Sequence, residues 1–152
     1  MGRRGDLKLS ILVILSIVLT LFLLVGQAFS LINYDFIVSL GLQESIDEVT
    51  AVGIAWLKAF ALGDTLVYIP LLIMGIIGLL RRKKWGFYAM MSSLAISTYW
   101  PVVNLSAIYF GRNDMALDAD KYVSFSIILP LISLYGFWGI WYLYKNQNIF
   151  IK

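Results

Sequence analysis

The sequence predicts an all-α membrane protein, a bundle of four transmembrane helices with both termini in the cytoplasm. Hydrophobic residues make up 61% of the chain and charged residues 14%, so the chain is far more apolar than an ordinary soluble domain. Four apolar segments, at about residues 9–32, 51–80, 85–110 and 122–144, are each long enough to cross a hydrocarbon core of about 30 Å. Because the connections are short, we expect residues 1–152 to form a single four-helix membrane domain.

The positive charges indicate the orientation. Nine of the 12 Lys and Arg residues lie before the first segment, between the second and third, or after the fourth: Arg3, Arg4, Lys8, Arg81, Arg82, Lys83, Lys84, Lys145 and Lys152. Loops rich in Lys and Arg stay in the cytoplasm, which makes the opposite, acid-rich side the outer one. The asymmetry explains the sequence pI of about 9.2 without a nucleic-acid partner. It predicts an integral protein of a prokaryotic cytoplasmic membrane or of the endoplasmic reticulum.

Two residue types are missing from the chain. It contains no cysteine and no histidine. Disulfides, iron–sulfur clusters, histidine-ligated haem and histidine-based metal sites are therefore excluded. We expect no cofactor and no metal.

The first apolar segment is longer than the core of a usual signal peptide, so we expect an uncleaved first helix. Its polar residues Ser16, Thr20 and Gln27 follow spacings of four and seven, which predicts that they share one face directed into the bundle. In the loop that follows, Ser45 and Glu48 have the spacing of a capping box for the second helix.

The second helix carries the most informative residue, Asp64. On insertion scales a central Asp is disfavoured in hydrocarbon by roughly 2.5–3.5 kcal/mol, so it requires a partner, a proton or a water-filled recess. Tyr68 lies four residues further along, on the same face. Pro70 removes one backbone hydrogen bond and predicts a kink. Lys58 is expected to extend to the outer interface.

The third helix carries one polar and aromatic stripe. Ser93, Ser97, Trp100 and Asn104 follow the spacing i, i+4, i+7 and i+11. The fourth helix has two serines seven residues apart, with Pro130 between them.

Depth connects these residues. Counted from the cytoplasmic helix ends at about 1.5 Å per residue, Gln27, Asp64 and Asn104 lie at one level in the outer half. This predicts a pocket inside the bundle for a hydrophobic small molecule or membrane lipid. The predicted ligand-binding residues are Gln27, Asp64, Tyr68, Ser97, Trp100 and Asn104. The alternative is that the polar groups only hold the helices together.

The second helix resembles a known family. Trp56, Lys58 and Phe60, followed by Asp64 and Pro70, are similar to the second-helix pattern of the EXPERA family, which includes the sigma-two receptor and the emopamil-binding sterol isomerase. Other similar positions are Ser97, Thr98, Pro101 and Pro130. The resemblance spans most of the chain. It implies four helices, a pocket for a sterol or lipophilic amine with Asp64 as the acid, and allows a homodimer.

The sequence also departs from that family. The acid that the sigma-two branch carries in its first helix has no counterpart at Leu24–Gln27. The isomerases use a histidine and paired acids, whereas this chain has no histidine and Asp64 has no second intramembrane carboxylate. Acid–base catalysis requires a donor and an acceptor around the substrate. Only Asp64 and Tyr68 could serve, so we predict no isomerase activity and no catalytic residues.

Three functions from different classes remain open. The first is a binding protein in which Asp64 pairs with an amine or a hydroxyl. The second is a small membrane enzyme acting on a lipid, with Asp64 and Tyr68 as its catalytic groups. The third is a small transporter or a helper subunit of a membrane complex, although the two halves of the chain have no convincing internal repeat.

Overall fold

Most of the described part of the chain is helical. The computed structural model covers the backbone of residues 3–150 and the side chains of residues 7–150, and within residues 3–150 every regular element is a helix. The predicted all-α class is therefore confirmed. The side chains of Arg3 and Arg4, and all of Lys152, lie outside the described residues.

The helical elements merge into four long runs and one short helix. In chain order they are α1 (Arg3–Leu23), a π-helical turn (Leu24–Ala28), a 3-10 turn (Phe29–Leu31), α2 (Tyr34–Ser39), α3 (Ile46–Gly63), a second π-helical turn (Asp64–Tyr68), α4 (Ile69–Leu80), α5 (Lys84–Gly111), α6 (Ala119–Lys145) and a 3-10 turn (Gln147–Ile149). The first long helix is α1 with its two turns, and the second is α3, the π turn and α4. The third and fourth are α5 and α6.

The second long helix begins at Ile46, five residues before the predicted apolar segment 51–80 and directly after the predicted cap Ser45. Its start is fixed by the predicted capping box, in which the Ser45 N–H donates to the Glu48 carboxylate at 2.7 Å. One turn later Thr50 has φ 64° and ψ 170°, so the helix is kinked directly after its first turn. This backbone conformation is one that only glycine adopts readily.

The four long helices pack in chain order. The first contacts the second, α4 packs on α5, and α5 packs on α6 along its length. The structure therefore has two ends. The basic end holds the turn of residues 81–83, with Lys8 and Lys145 at the same end, and the acidic end holds the connections 32–45 and 112–118.

Small residues allow the helices to approach closely. A Cβ added to Gly78 would lie 2.2 Å from the Cα of Gly86, so α4 and α5 meet backbone to backbone near the basic end. Gly136 makes the same approach between α6 and α5, where an added Cβ would lie 2.4 Å from the Thr98 hydroxyl. Apolar side chains pack in two clusters. One lies around Leu12, Leu79, Met90 and Leu94, and the other around Leu19, Leu23, Ile69 and Leu72.

Within the described residues, three helical runs are long and apolar enough to cross a membrane: Leu7–Leu31, Ile46–Leu80 and Ala119–Lys145. This is consistent with an integral membrane protein. The predicted third span, residues 85–110, is helical as α5 but is not among these runs, because its serines, tyrosines, Pro101 and Asn104 lower its hydropathy. The four-span arrangement and the side on which the termini lie stay predictions.

The surface is apolar along all these runs. Large hydrophobic side chains that a soluble protein would bury are exposed here, for example Ile14, Leu66, Leu131 and Phe137 at 58%, 67%, 59% and 60%. Contiguous apolar surface of this extent indicates contact with lipid or with another protein. The small core and the exposed apolar faces are both explained if hydrocarbon surrounds the helices.

Candidate functional site

Asp64 lies at the first position of a π-helical turn in the middle of the second long helix. The Ile69 N–H donates to the Asp64 carbonyl, five residues back. Pro70 follows directly and cannot donate a backbone hydrogen bond, which favours a widened turn at this point. Such turns are frequent at functional sites. The structure has a π turn directly before Pro70, and the kink that the sequence predicts around this proline stays a prediction.

The Asp64 side chain is buried without a full set of partners. It is 6% exposed, and among the described residues no hydrogen-bond donor reaches its Oδ2 atom. A buried carboxylate oxygen that accepts no hydrogen bond is energetically costly. Asp64 Oδ2 is therefore a buried acceptor that still requires a hydrogen-bond donor.

A second π turn lies beside the first one. Leu24–Ala28 widens the first long helix, the Phe29 N–H donates to the Leu24 carbonyl, and this turn contacts the Asp64 turn. Gly26 and Gln27 are buried in it. Gln43, from the connection after α2, donates through Nε2 to the Gly26 carbonyl at 3.1 Å and to Gln27 Oε1 at 3.3 Å. Gln27 and Asp64, which the sequence predicts to lie at one level, are thus in two π turns that contact each other.

One turn towards the basic end, a polar contact joins the second and third long helices. The Tyr68 and Ser97 hydroxyl oxygens are 2.5 Å apart, and the Ser97 hydroxyl also lies 3.0 Å from the Ser93 carbonyl. The predicted stripe of α5 therefore faces the predicted face of the second helix. Tyr68 is 3% exposed and Ser97 is fully buried, so the contact is shielded from the surroundings.

A matching contact joins the first and fourth long helices. The Ser16 hydroxyl lies 2.6 Å from the Tyr135 hydroxyl and donates to the Leu12 carbonyl at 2.8 Å. Sequence reasoning placed Ser16 on the inner face but missed Tyr135. No signal distinguished Tyr135 in the sequence, because it is the first of six aromatic residues within residues 135–144.

Trp100 lies at the level of Asp64. Each is 16 residues from the turn that joins α4 to α5, counted from Leu80 to Asp64 and from Lys84 to Trp100, which is about 24 Å along either helix. The Trp100 Nε1 atom is buried, and within residues 7–150 no acceptor reaches it. Asn104 lies a turn beyond and donates to the Trp100 carbonyl of its own helix at 2.9 Å. An unpaired acceptor and an unpaired donor therefore share one level.

The acidic end is closed by a polar cluster that the sequence did not predict. Lys121, in the first turn of α6, donates to Glu48 Oε2 at 2.7 Å and to the Gln43 carbonyl at 3.2 Å. The Ala116 N–H donates to the Glu48 carbonyl at 2.9 Å. Gln43 Oε1 and Glu48 Oε1 are buried and, in the described part of the chain, accept no hydrogen bond. The sequence signal was one lysine, Lys121, directly after the acids Asp114, Asp118 and Asp120.

Two surface grooves are distinct from these buried groups. One, of about 390 Å³, lies between α2 and α3, and the other, of about 430 Å³, runs along α3. None of the six predicted ligand-binding residues lines either of them. The described residues also contain no group of three or more acids that could hold a metal ion.

The comparisons with known proteins found no match. No family model matches the chain, and no curated protein or solved structure is significantly similar to it. The resemblance to the EXPERA family therefore stays a prediction.

Proposed function

We propose that this chain is an integral membrane protein that binds a hydrophobic small molecule, a sterol-like lipid or a lipophilic amine, through Asp64 inside its bundle. The observation that carries the proposal is the buried Asp64 Oδ2 atom without a donor among the described residues. In an apolar surrounding such an oxygen requires a proton or a ligand that donates to it. The ligand supplies that donor.

The chemistry of the neighbouring groups narrows the ligand. A hydroxyl has both a donor, which Asp64 Oδ2 lacks, and an acceptor, which Trp100 Nε1 lacks. An ammonium can only donate, so it pairs with ionised Asp64 and leaves Trp100 unpaired. A lipid alcohol therefore suits both groups, whereas an amine suits the carboxylate alone.

We propose that movement of one segment of the second long helix opens the path to Asp64. Its segment between the Thr50 kink and the Asp64 turn packs chiefly on the end of the first long helix and only sparsely on α5 and α6. A helix segment with an irregularity at each end can move as a unit about those points. A ligand then enters from the lipid between α3 and α5.

We also infer that α5 crosses the membrane, which gives four spans in all. An even number of spans places both termini on one side, and the distribution of Lys and Arg indicates that this is the cytoplasmic side. The 28 residues of α5 extend for about 42 Å, which exceeds the hydrocarbon thickness of about 30 Å. Its polar side chains Ser93 and Ser97 are fully buried against the other helices. Because the chain lacks cysteine, the single variants Lys83→Cys and Asn113→Cys, at the two ends of α5, can test this with an impermeant thiol reagent. Only one of the two should react in sealed vesicles.

The ligand is tested by native mass spectrometry of the purified protein in mild detergent. The wild-type chain should retain a small molecule that Asp64→Asn loses, and the adduct mass identifies it. Asp47→Asn is the control, because Asp47 is an exposed acid in the first turn of α3 and should retain the ligand. Identical spectra for all three proteins would contradict the proposal.

A further inference from the structure

A groove at the acidic end combines apolar walls with one cation and one anion. It has a volume of about 390 Å³ and lies between the short helix α2 and the first half of α3. Its lining residues are Tyr34, Asp35, Val38, Ser45, Ile46, Ala51, Ile54 and Lys58. This volume is within the range of small-molecule sites.

The two charged residues that line the groove come from its two helices. Lys58 comes from α3, and its Nζ lies 4.9 Å from the centre of the Tyr34 ring, so a cation–π contact holds the ammonium over α2. Asp35 is the neighbour of Tyr34 in α2 and is exposed. An ammonium has three donors, and the ring covers only one side of it. The groove can therefore receive a group that carries both a negative and a positive charge.

The groove lies where lipid headgroups are expected. The second long helix has 35 residues and extends for about 52 Å, so it exceeds the hydrocarbon thickness of about 30 Å. Counted from Leu80, about 30 Å of helix ends near residue 60. Lys58 is then at the hydrocarbon boundary, and Asp35 lies on the polar side of it.

A second groove lies directly beside the first. It is lined by Ala51, Val52, Ala55, Trp56 and Ala59, and it has a volume of about 430 Å³. It shares Ala51 with the first groove, and all its side chains are apolar. By the same count residues 51–59 lie outside the hydrocarbon, so the second groove is apolar surface at the level of the headgroups.

We propose that the first groove binds the headgroup of one zwitterionic phospholipid with a primary amine, of the phosphatidylethanolamine type. Its phosphate binds the Lys58 ammonium, its amine binds the Asp35 carboxylate, and its acyl chains extend past residue 60 into the hydrocarbon. The headgroup is complementary to these two charges, whereas an anionic phospholipid would bring a second negative charge to Asp35. The site is separate from Asp64 and does not depend on the ligand proposed there.

The test is native mass spectrometry of the full-length, delipidated protein in mild detergent, titrated with dioleoyl phosphatidylethanolamine. The wild-type chain should bind one molecule and prefer it to the phosphatidylglycerol with the same acyl chains. Lys58→Gln should weaken binding about tenfold, the size expected from losing one hydrogen bond between charged groups. The matched control is Lys145→Gln, because Lys145 also lies over an aromatic ring, 4.6 Å from that of Trp141, at the other end of the chain.

Three further measurements separate the parts of the proposal. Asp35→Asn should abolish the preference for phosphatidylethanolamine, and Ala55→Leu, which fills the second groove without changing a charge, should leave binding unchanged. Asp64→Asn should bind the phospholipid as the wild type does. The proposal is overturned if Lys58→Gln and Lys145→Gln bind equally, or if soluble glycerophosphoethanolamine binds as tightly as the lipid.

Discussion

Tyr68 and Ser97 place their hydroxyl oxygens 2.5 Å apart and join the second long helix to the third inside the bundle. One turn away on each helix are Asp64 and Trp100, the acceptor and the donor that the described residues leave unpaired. The hydroxyl contact therefore fixes the relative position of the two helices at the point where the proposed ligand binds. It is a positioning contact for that site.

Removing either hydroxyl should loosen this contact. Tyr68→Phe and Ser97→Ala should each lower the free energy of unfolding by about 1 kcal/mol, and the double variant should lose less than the sum. The cycle is measured by denaturation in mixed micelles. Strictly additive losses would mean that the two hydroxyls do not interact, in which case the helices are held by their apolar contacts alone.

The close approach of α4 and α5 predicts a strong effect of one methyl group. Gly78→Ala should destabilise the protein by about 1–3 kcal/mol, because the new Cβ would overlap the Gly86 backbone. Gly63→Ala is the control, since an added Cβ there has nothing within 4 Å and alanine favours the helix. Comparable melting temperatures for the two variants would contradict the close crossing.

The kink at Thr50 predicts a stabilising glycine. Thr50 has φ 64°, where a side chain is unfavourable, so Thr50→Gly should stabilise the protein by about 1 kcal/mol. At Ala59, which has ordinary helical geometry, substitution by glycine should instead destabilise by about 0.5–1 kcal/mol. The two variants are compared by thermal unfolding in the same detergent. A loss of stability in Thr50→Gly would show that the helix is continuous at this residue.

The connection at the acidic end predicts a dependence on pH. Burial raises the pKa of Glu44 above its ordinary value, so the folded chain favours the protonated carboxyl. Its stabilising contribution is present at low pH and is lost as the pH rises through the raised pKa. Glu44→Gln should therefore melt higher than the wild type at about pH 8, and the difference should shrink towards about pH 4.

The control for this pH series is Asp47→Asn, which changes an exposed acid three residues away. Asp47→Asn should alter the melting temperature little at either pH, since exposed charges contribute weakly. A gain in Glu44→Gln that is equal at both pH values would contradict a cost of burying the charged carboxylate.

Much of the fold followed from the sequence for one physical reason. In hydrocarbon a long apolar segment can form all its backbone hydrogen bonds internally as a helix. The Ser45 and Glu48 spacing located the start of the second helix. The face shared by Asp64 and Tyr68, and the stripe that contains Ser97, also followed from helical periodicity, whereas the contact between Tyr68 and Ser97 did not. The interior of a helix is predictable from spacing because the geometry repeats.

The remaining features depend on contacts that have no repeat. The π turns at Gly26 and Asp64 add a residue locally, which no periodic pattern records. Gln43 comes from a connection, and only the folded chain brings it to Gly26. The Glu48 and Lys121 pair joins residues 73 positions apart, so spacing carried no information about it.

Ligand-induced stabilisation tests most directly whether Asp64 binds a ligand. The melting temperatures of the wild type, Asp64→Asn and Asp47→Asn are measured against a panel of lipid alcohols and lipophilic amines at rising concentrations. A ligand that binds only the folded state raises the melting temperature with its concentration. We predict such a rise for the wild type and Asp47→Asn, and none for Asp64→Asn. Equal rises in all three proteins, or none in any, would contradict the claim.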